Sequence, residues 1–197
     1  MKVFDSGMPE EAYWNSLFDV PSVVAWLSLQ SVTGPIVEVG CGYGTFTVPI
    51  AAGTTKTVHA IDIEPAMVET AINNARKAGI QNVEFHCVDV VEAGTGLPPA
   101  SAGLVVLFNI LHSSERVQIL KEASRILSES GRVAILHWRK DIPTPRGPSV
   151  DSRPDLGTIV SSITGLDLRL SGEGSLLGPY HWGVQLQKRG MRGAVRG

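Results

Sequence analysis

Ile36-Val37-Glu38-Val39-Gly40-Cys41-Gly42-Tyr43-Gly44 is the stretch on which the reading of this chain turns. Its first four residues are β-branched except Glu38, the pattern of a strand covered on both faces. Three glycines in the next five positions end that strand, and Thr45 to Ala52 then reads as a short helix. Glycine permits the sharp strand-to-helix turn and leaves room for a ligand to approach the backbone.

The same alternation continues downstream. Thr57 to Ile61 reads as a second strand. Pro65 suits the first position of a helix running to Ala78, with Met67, Ala71, Ile72 and Ala75 on one face and Gly79 as its stop. Val83 to Cys87 is a third strand and Leu104 to Phe108 a fourth, continuous and apolar. Val117, Leu120, Ser124 and Leu127 mark a helix starting near Ser113 or Ser114 and ended by Gly131, before a fifth strand from Arg132 to Trp138. Strand-helix repetition calls for a parallel sheet with right-handed crossovers.

Gly94 to Pro99 and Pro143 to Pro154 read as loops. Beyond them, Leu156 to Ile163 reads as helix, and Leu166 to Leu170 and Trp182 to Gln187 as two closing antiparallel strands. Upstream, Tyr13, Trp14, Leu17, Phe18, Val24 and Leu27 give Glu10 to Leu29 an amphipathic helical pattern broken at Pro21, expected over the ligand-binding edge. The expected fold is α/β: a Rossmann-like, mostly parallel seven-stranded sheet with helices on both faces and an antiparallel C-terminal strand pair. One domain covers 1–197, with a helical cap at 1–30, a binding core at 34–140, and a substrate-side loop with closing strands at 141–188.

Composition narrows the function. A chain of 197 residues, 43% hydrophobic and 18% charged, with no apolar run of membrane-spanning length, fits one soluble globular domain. The net charge of −2 and the lack of a basic block disfavour nucleic acid as partner. The leading MKVFDSGMPEEAYW lacks the apolar stretch of an export signal, so a cytoplasmic location without membrane attachment is expected. Cys41 and Cys87 read as reduced, partly buried residues, and no metal site is expected. His59 and His86 fall inside strands and read as structural. The tail from Arg189 to Gly197 reads as flexible polar chain, and oligomeric state is left open.

The glycine spacing separates two cofactor classes. A dinucleotide fingerprint requires G-x-G-x-x-G, whereas this chain has Gly40, Gly42 and Gly44 with Thr45 where the third glycine belongs. An acidic residue followed by G-x-G-x-G resembles the first motif of the class I S-adenosylmethionine-dependent methyltransferases. The resemblance implies that Glu38 orients the cofactor's amino-acid end and that Gly40, Cys41, Gly42 and Gly44 run beside its methionine and ribose portions. Asp62 closes the second strand, where a carboxylate takes both ribose hydroxyls. Ile63 resembles the apolar residue against the adenine, Asp89 the acceptor for its amino group, and Val90 the residue whose amide meets the ring.

Phe108-Asn109-Ile110-Leu111-His112 resembles the F-x-x-L-H pattern of many small-molecule methyltransferases, with Asn109 beside the cofactor. It differs from the N/D-P-P-Y motif of enzymes that methylate amino groups of DNA bases and glutamine. The resemblance covers roughly residues 34 to 140 and implies methyl transfer to a small-molecule acceptor.

Plainer readings stand beside these. The glycines also suit a turn that binds nothing, and Asp62 and Asp89 also suit helix caps. His112 reads equally as a general base or a hydrogen-bonded structural residue. Tyr13 and Trp14 suit a lid or cation-π wall as well as a packing staple, and Trp138 with His137 falls on the substrate side. The catalytic candidates are therefore His112, Tyr13 and Trp138. Arg139, Lys140 and Arg146 suit either an acidic substrate or solvent. No carboxylate pair supports a magnesium-dependent catechol-type reaction, and the cysteines of arsenite methylation are missing. Two rival functions remain: an NAD(P)-dependent oxidoreductase, and a protein that binds S-adenosylmethionine without turnover.

Overall fold

The computed structural model describes residues 8–189. Two short helices, α1 (Glu11–Asn15) and α2 (Val20–Trp26), lead into β1 (Ile36–Val39), α3 (Thr47–Ala52), β2 (Val58–Asp62), α4 (Pro65–Lys77), β3 (Val83–Cys87) and α5 (Val90–Ala93). There follow β4 (Ala102–Phe108), α6 (Arg116–Ile126), β5 (Leu127–Trp138), α7 (Leu156–Ser162), β6 (Leu168–Leu170), β7 (Ser175–Leu176) and β8 (His181–Lys188).

The strands form one sheet in the order β3-β2-β1-β4-β5-β8-β6, with β7 also pairing β8. The five strands from β3 to β5 are parallel, and β8 is antiparallel to β5, β6 and β7. The order reverses on either side of β1 and β4, which opens a crevice at their carboxyl ends. The α/β class and the closing antiparallel strands are borne out. The eighth strand, two residues long, is the addition to the expected seven.

Alternate residues of β4 serve two layers because strand side chains change face at every step. Val105 and Leu107 join one buried cluster with α6 residues Leu120 and Ala123, while Leu104, Val106 and Phe108 join another with Val23 and Leu27. Both layers are free of solvent at this strand, so truncating a residue such as Leu107 costs about 2–5 kcal/mol. Gly103 is required by close approach: a Cβ there would lie 2.1 Å from the Thr33 carbonyl oxygen.

Three boundaries and the burial of one cysteine differ from the expectations. Gly131 does not stop a helix. It lies inside β5, where a Cβ would come within 2.8 Å of the Ala102 carbonyl oxygen, and the chain passes from α6 into β5 without a turn. The helix expected from Ser113 or Ser114 begins at Arg116. Pro21 stands in the first turn of α2, where its missing N–H is harmless, so it opens that helix instead of breaking one. Cys87 is exposed, not partly buried, and Cys41 is buried. Of the predicted tail, residues 190–197 lie outside the described residues; Arg189 donates its Nε to the Leu168 carbonyl at 2.9 Å.

Candidate active site

The glycine loop leaves β1 with Gly40, Gly42 and Gly44 all at positive φ, a conformation that only glycine adopts without strain. Its amides turn inward: Gly40 and Cys41 donate to the Ile61 carbonyl at 2.7 and 3.0 Å, and Gly42 donates to Asp62 Oδ2 at 2.8 Å. The glycines thus leave this loop without side chains where it borders Ile110 and Asp62. A Cβ on Gly40 would stand 2.5 Å from Ile110 Cγ2.

A cavity of about 980 Å³ opens beside this loop, large enough for a cofactor and a small second molecule. One end is lined by Glu38, Gly40, Cys41, Gly42, Asp62, Ile63, Asp89 and Val90, and Asn109 follows beyond them. These residues come from the ends of β1, β2, β3 and β4, so the sheet gathers nine of the ten expected cofactor residues on one wall. Gly44 lies outside the lining and packs instead on α4, where a Cβ would meet Ala71 Cβ at 3.3 Å.

The carboxylates differ in state. Glu38 is fully buried, which pushes its pKa up to about 8 against the opposing hydrogen bond donated by the Thr47 hydroxyl to Oε2. Asp62 is also raised, chiefly by burial, while the amides of Glu64 and Gly42 hold it down. Its Oδ1 accepts from Glu64 N at 3.0 Å, so Asp62 ties the glycine loop to the next turn. Asp89 Oδ1 accepts from Val91 N and Glu92 N at 2.9 and 3.3 Å, which makes it the cap of α5, a helix the sequence did not announce. The capping reading therefore describes Asp89, whereas Asp62 caps no helix: α4 starts from Glu64 without a side-chain cap, and the Asp62 carboxylate bonds the Gly42 and Glu64 amides.

The other end is aromatic. Trp14, Phe46, Phe108 and Trp138 line it, with ring centroids 4.8 Å apart for Phe46 and Phe108 and 6.2 Å for Trp14 and Trp138. Tyr13, by contrast, points away and is exposed, so of the two neighbouring aromatics it is Trp14 that serves the cavity. Gly147 lies against Trp138, where a Cβ would be 2.9 Å from the indole. Thr144, Pro145, Arg146 and Pro148 continue this wall.

Arg153 fixes that loop. Its buried guanidinium donates to the carbonyls of Pro148 at 2.9 Å, Arg139 at 2.7 Å and Arg146 at 3.4 Å. Arg139 pairs with Asp141 at 2.7 Å, so its charge is used within the loop.

Between the two ends stand Asn109 and His112. Asn109 has φ of +57°, and both atoms of its buried amide lack a hydrogen-bond partner. Buried polar atoms without partners are rare, and strained backbone gathers at working sites. His112 Nδ1 is buried and equally unpartnered, and burial lowers its pKa. Behind it lies His137, with ring centroids 5.8 Å apart. His137 is fully buried with neither ring nitrogen bonded, and burial pushes its pKa down to about 3. His181, which nothing in the sequence singled out, stacks on Phe18 with ring centroids 4.5 Å apart, lies tilted against Trp138 at 4.2 Å, and is likewise held near 3 by burial.

A crevice at the carboxyl ends of a Rossmann-like sheet, with acidic residues closing successive strands and a glycine loop between them, defines a nucleoside-type cofactor site. The methyltransferase domain family matches residues 31–161, which covers most of the chain, and the chain belongs to that family. Aklanonic acid methyltransferase from a Streptomyces strain is 32% identical over 109 residues, 53% of this chain and 49% of that protein. A 23S rRNA uracil-C5 methyltransferase of Alcanivorax borkumensis is 28% identical over 119 residues, 53% of this chain and 26% of its own length. The chain thus spans about half or less of these relatives. Among solved structures, a SAM-dependent methyltransferase from Aquifex aeolicus superposes with a TM-score of 0.74 at 23% identity, over 90% of this chain and 93% of its own, which shows the shared fold.

Proposed function

We propose that this protein transfers a methyl group from S-adenosylmethionine to a small-molecule acceptor. The observation that carries this reading is a single cavity whose polar wall collects Glu38, Asp62, Asp89 and Asn109, and whose far end is aromatic. The residues fit the cofactor. Asp62 carries acceptor oxygens for ribose hydroxyls, Ile63 an apolar face for adenine, and Asn109 an amide with no protein partner.

When bound, S-adenosylmethionine supplies an activated methyl carbon, and the chain's own residues do the rest. Glu38 meets the amino-acid end, and the cramped Gly40 excludes water beside Ile110. Trp14, Phe46, Phe108 and Trp138 hold the acceptor in line, which converts a two-molecule encounter into an oriented one. His112, whose pKa burial lowers, lines the cavity beside Asn109 and is the base that would take a proton from a protonated acceptor. Tyr13 stands away from this arrangement, and Trp138 serves as wall.

The RNA-methylating relative raises a polynucleotide acceptor as the second reading. Against it stand the net charge of −2 and the engagement of Arg139 and Arg153 within their own loop. No helix of the described residues is long and apolar enough to cross a membrane. We place the reaction in the cytoplasm, where the free thiols of Cys41 and Cys87 stay reduced.

Calorimetric titration with S-adenosylhomocysteine tests the cofactor, beside an Asp62→Ala variant and an NAD control. Binding that the variant loses, with none for NAD, supports the reading. Preference for NAD overturns it, and binding without turnover on either small-molecule or RNA panels leaves the non-catalytic rival.

A further inference from the structure

The parallel register of β2 and β3 sets His59 opposite Glu84 and Ile61 opposite His86. His59, Glu84 and His86 therefore share one face of the sheet edge, because residues two apart in a strand point the same way. The opposite face is taken by α4, whose Ala71 packs with Ala60, Val83 and Phe85. The chain crossing from β3 to β4 forms only the four-residue α5, and the two histidines remain half-buried with Glu84 exposed.

Their donor atoms converge. His59 Nδ1 lies 3.2 Å from His86 Nε2 and 3.4 Å from Glu84 Oε2, and the three ligand atoms all fall within 4.8 Å of one another. A zinc ion holds His nitrogen at about 2.0–2.1 Å and carboxylate oxygen at about 2.0–2.2 Å in a tetrahedron. Two such ligands are then about 3.4 Å apart, the spacing that two edges of this triangle already have. One ring nitrogen carries either a proton or a lone pair, so Nδ1 of His59 cannot satisfy both neighbours with a single hydrogen bond. A cation between the three atoms engages all of them.

We infer that His59, Glu84 and His86 form a binding site for a borderline divalent metal ion such as Zn²⁺, with a fourth position open to water. None of the three lines the large cavity, so the site is separate from methyl transfer and does not depend on it. Its place in the fold states its role. Asp62 and Asp89 each follow a ligand by three positions, on β2 and just beyond β3, so an ion clamping these strands steadies the ends that carry both carboxylates. The chemistry is that of a three-ligand N₂O set, which favours imidazole-loving metals over Mg²⁺ or Ca²⁺.

The test uses untagged, metal-stripped protein titrated with ZnCl₂ by calorimetry, with Co²⁺ as an optical probe of tetrahedral coordination. One ion per chain is expected, with visible Co²⁺ bands that Zn²⁺ displaces and a thermal transition raised by Zn²⁺. His86→Asn and the exposed-residue variant Glu84→Gln should each weaken binding at least tenfold while keeping the metal-free melting temperature. Titration of the same variants with S-adenosylhomocysteine separates this site from the cofactor reading. Failure of the wild type to bind, or an unchanged Zn²⁺ isotherm in both variants, overturns the inference.

Discussion

The two ends of the cavity are built on different physical terms. At the cofactor end, backbone and carboxylates dominate: the loop amides bond to Ile61 and Asp62, Asp89 caps α5, and every group has its position set by a strand end. At the aromatic end, side chains dominate: rings lie edge to face and a guanidinium holds three carbonyls, while Asn109 and His112, between the two ends, keep polar atoms unbonded. The first arrangement is rigid and general, because any strand-turn-helix unit with these residues reproduces it. The second is particular, because it depends on which rings meet across five separate segments. A fold can thus keep one cofactor while changing acceptors by altering only the second.

If this contrast is sound, damage to each end should separate cleanly. The largest effect is expected from Gly40→Val, which drives a side chain into Ile110 at a backbone conformation hostile to β-branched residues. S-adenosylhomocysteine affinity should fall at least about a hundredfold by calorimetry, and adding Ile110→Ala should recover only part, because the positive φ remains. Loss of acceptor affinity alone would break the division.

Next in size, His112→Ala should lower kcat about a hundredfold with a protonated acceptor and leave cofactor affinity within a few fold. Because burial holds the pKa of His112 below its ordinary 6.5, the wild-type rate should be flat at neutral pH and decline only on the acid side, below that value. A pH-rate profile unchanged in the variant would remove His112 from proton transfer.

Arg153→Met should free the loop from Arg139 to Pro148 and raise the acceptor KM about tenfold, the scale of one or two buried hydrogen bonds, with cofactor binding intact. Steady-state kinetics at saturating cofactor checks this.

The smallest signal concerns Glu38. Its folded pKa, near 8, lies above the value of 4.5 it has when unfolded, so the native state binds the extra proton and stability is lost as pH rises from about 4.5 to 8. A cation placed beside this carboxyl favours its ionised form, so cofactor binding at pH 7 should release a fraction of a proton. Calorimetry in two buffers of different ionisation enthalpy measures it, and Glu38→Gln should abolish the release.

The contrast also governs what could be read from the chain. Glu38, the glycines, Asp62 and Asp89 lie next to turn signals, so local order revealed their strands and, Gly44 apart, their convergence. The aromatic end needed tertiary knowledge. Trp14 rather than Tyr13 faces inward because α1 is only one turn long and its docking fixes the phase. His181 comes to Trp138 through antiparallel pairing of β8 with β5, and no motif marks it. Gly131 misled because glycine commonly ends helices, whereas here it admits the close approach of Ala102. The triad of His59, Glu84 and His86 is invisible without the register of β2 and β3.

One attachment described by its residues has a mechanical meaning. Met8, Pro9 and Trp14 cover the cavity, yet α1 buries none of its residues and is joined to the glycine-loop side by a few polar links. Tyr43 donates its hydroxyl to the Pro9 carbonyl at 2.6 Å, Thr45 donates to Asn15 at 2.6 Å, and Asn74 donates to Glu11 at 2.7 Å. Breaking all three costs about 3 kcal/mol, apart from the ring contacts of Trp14. A cover held by so little leaves this side of the cavity free to open without disturbing the sheet behind it.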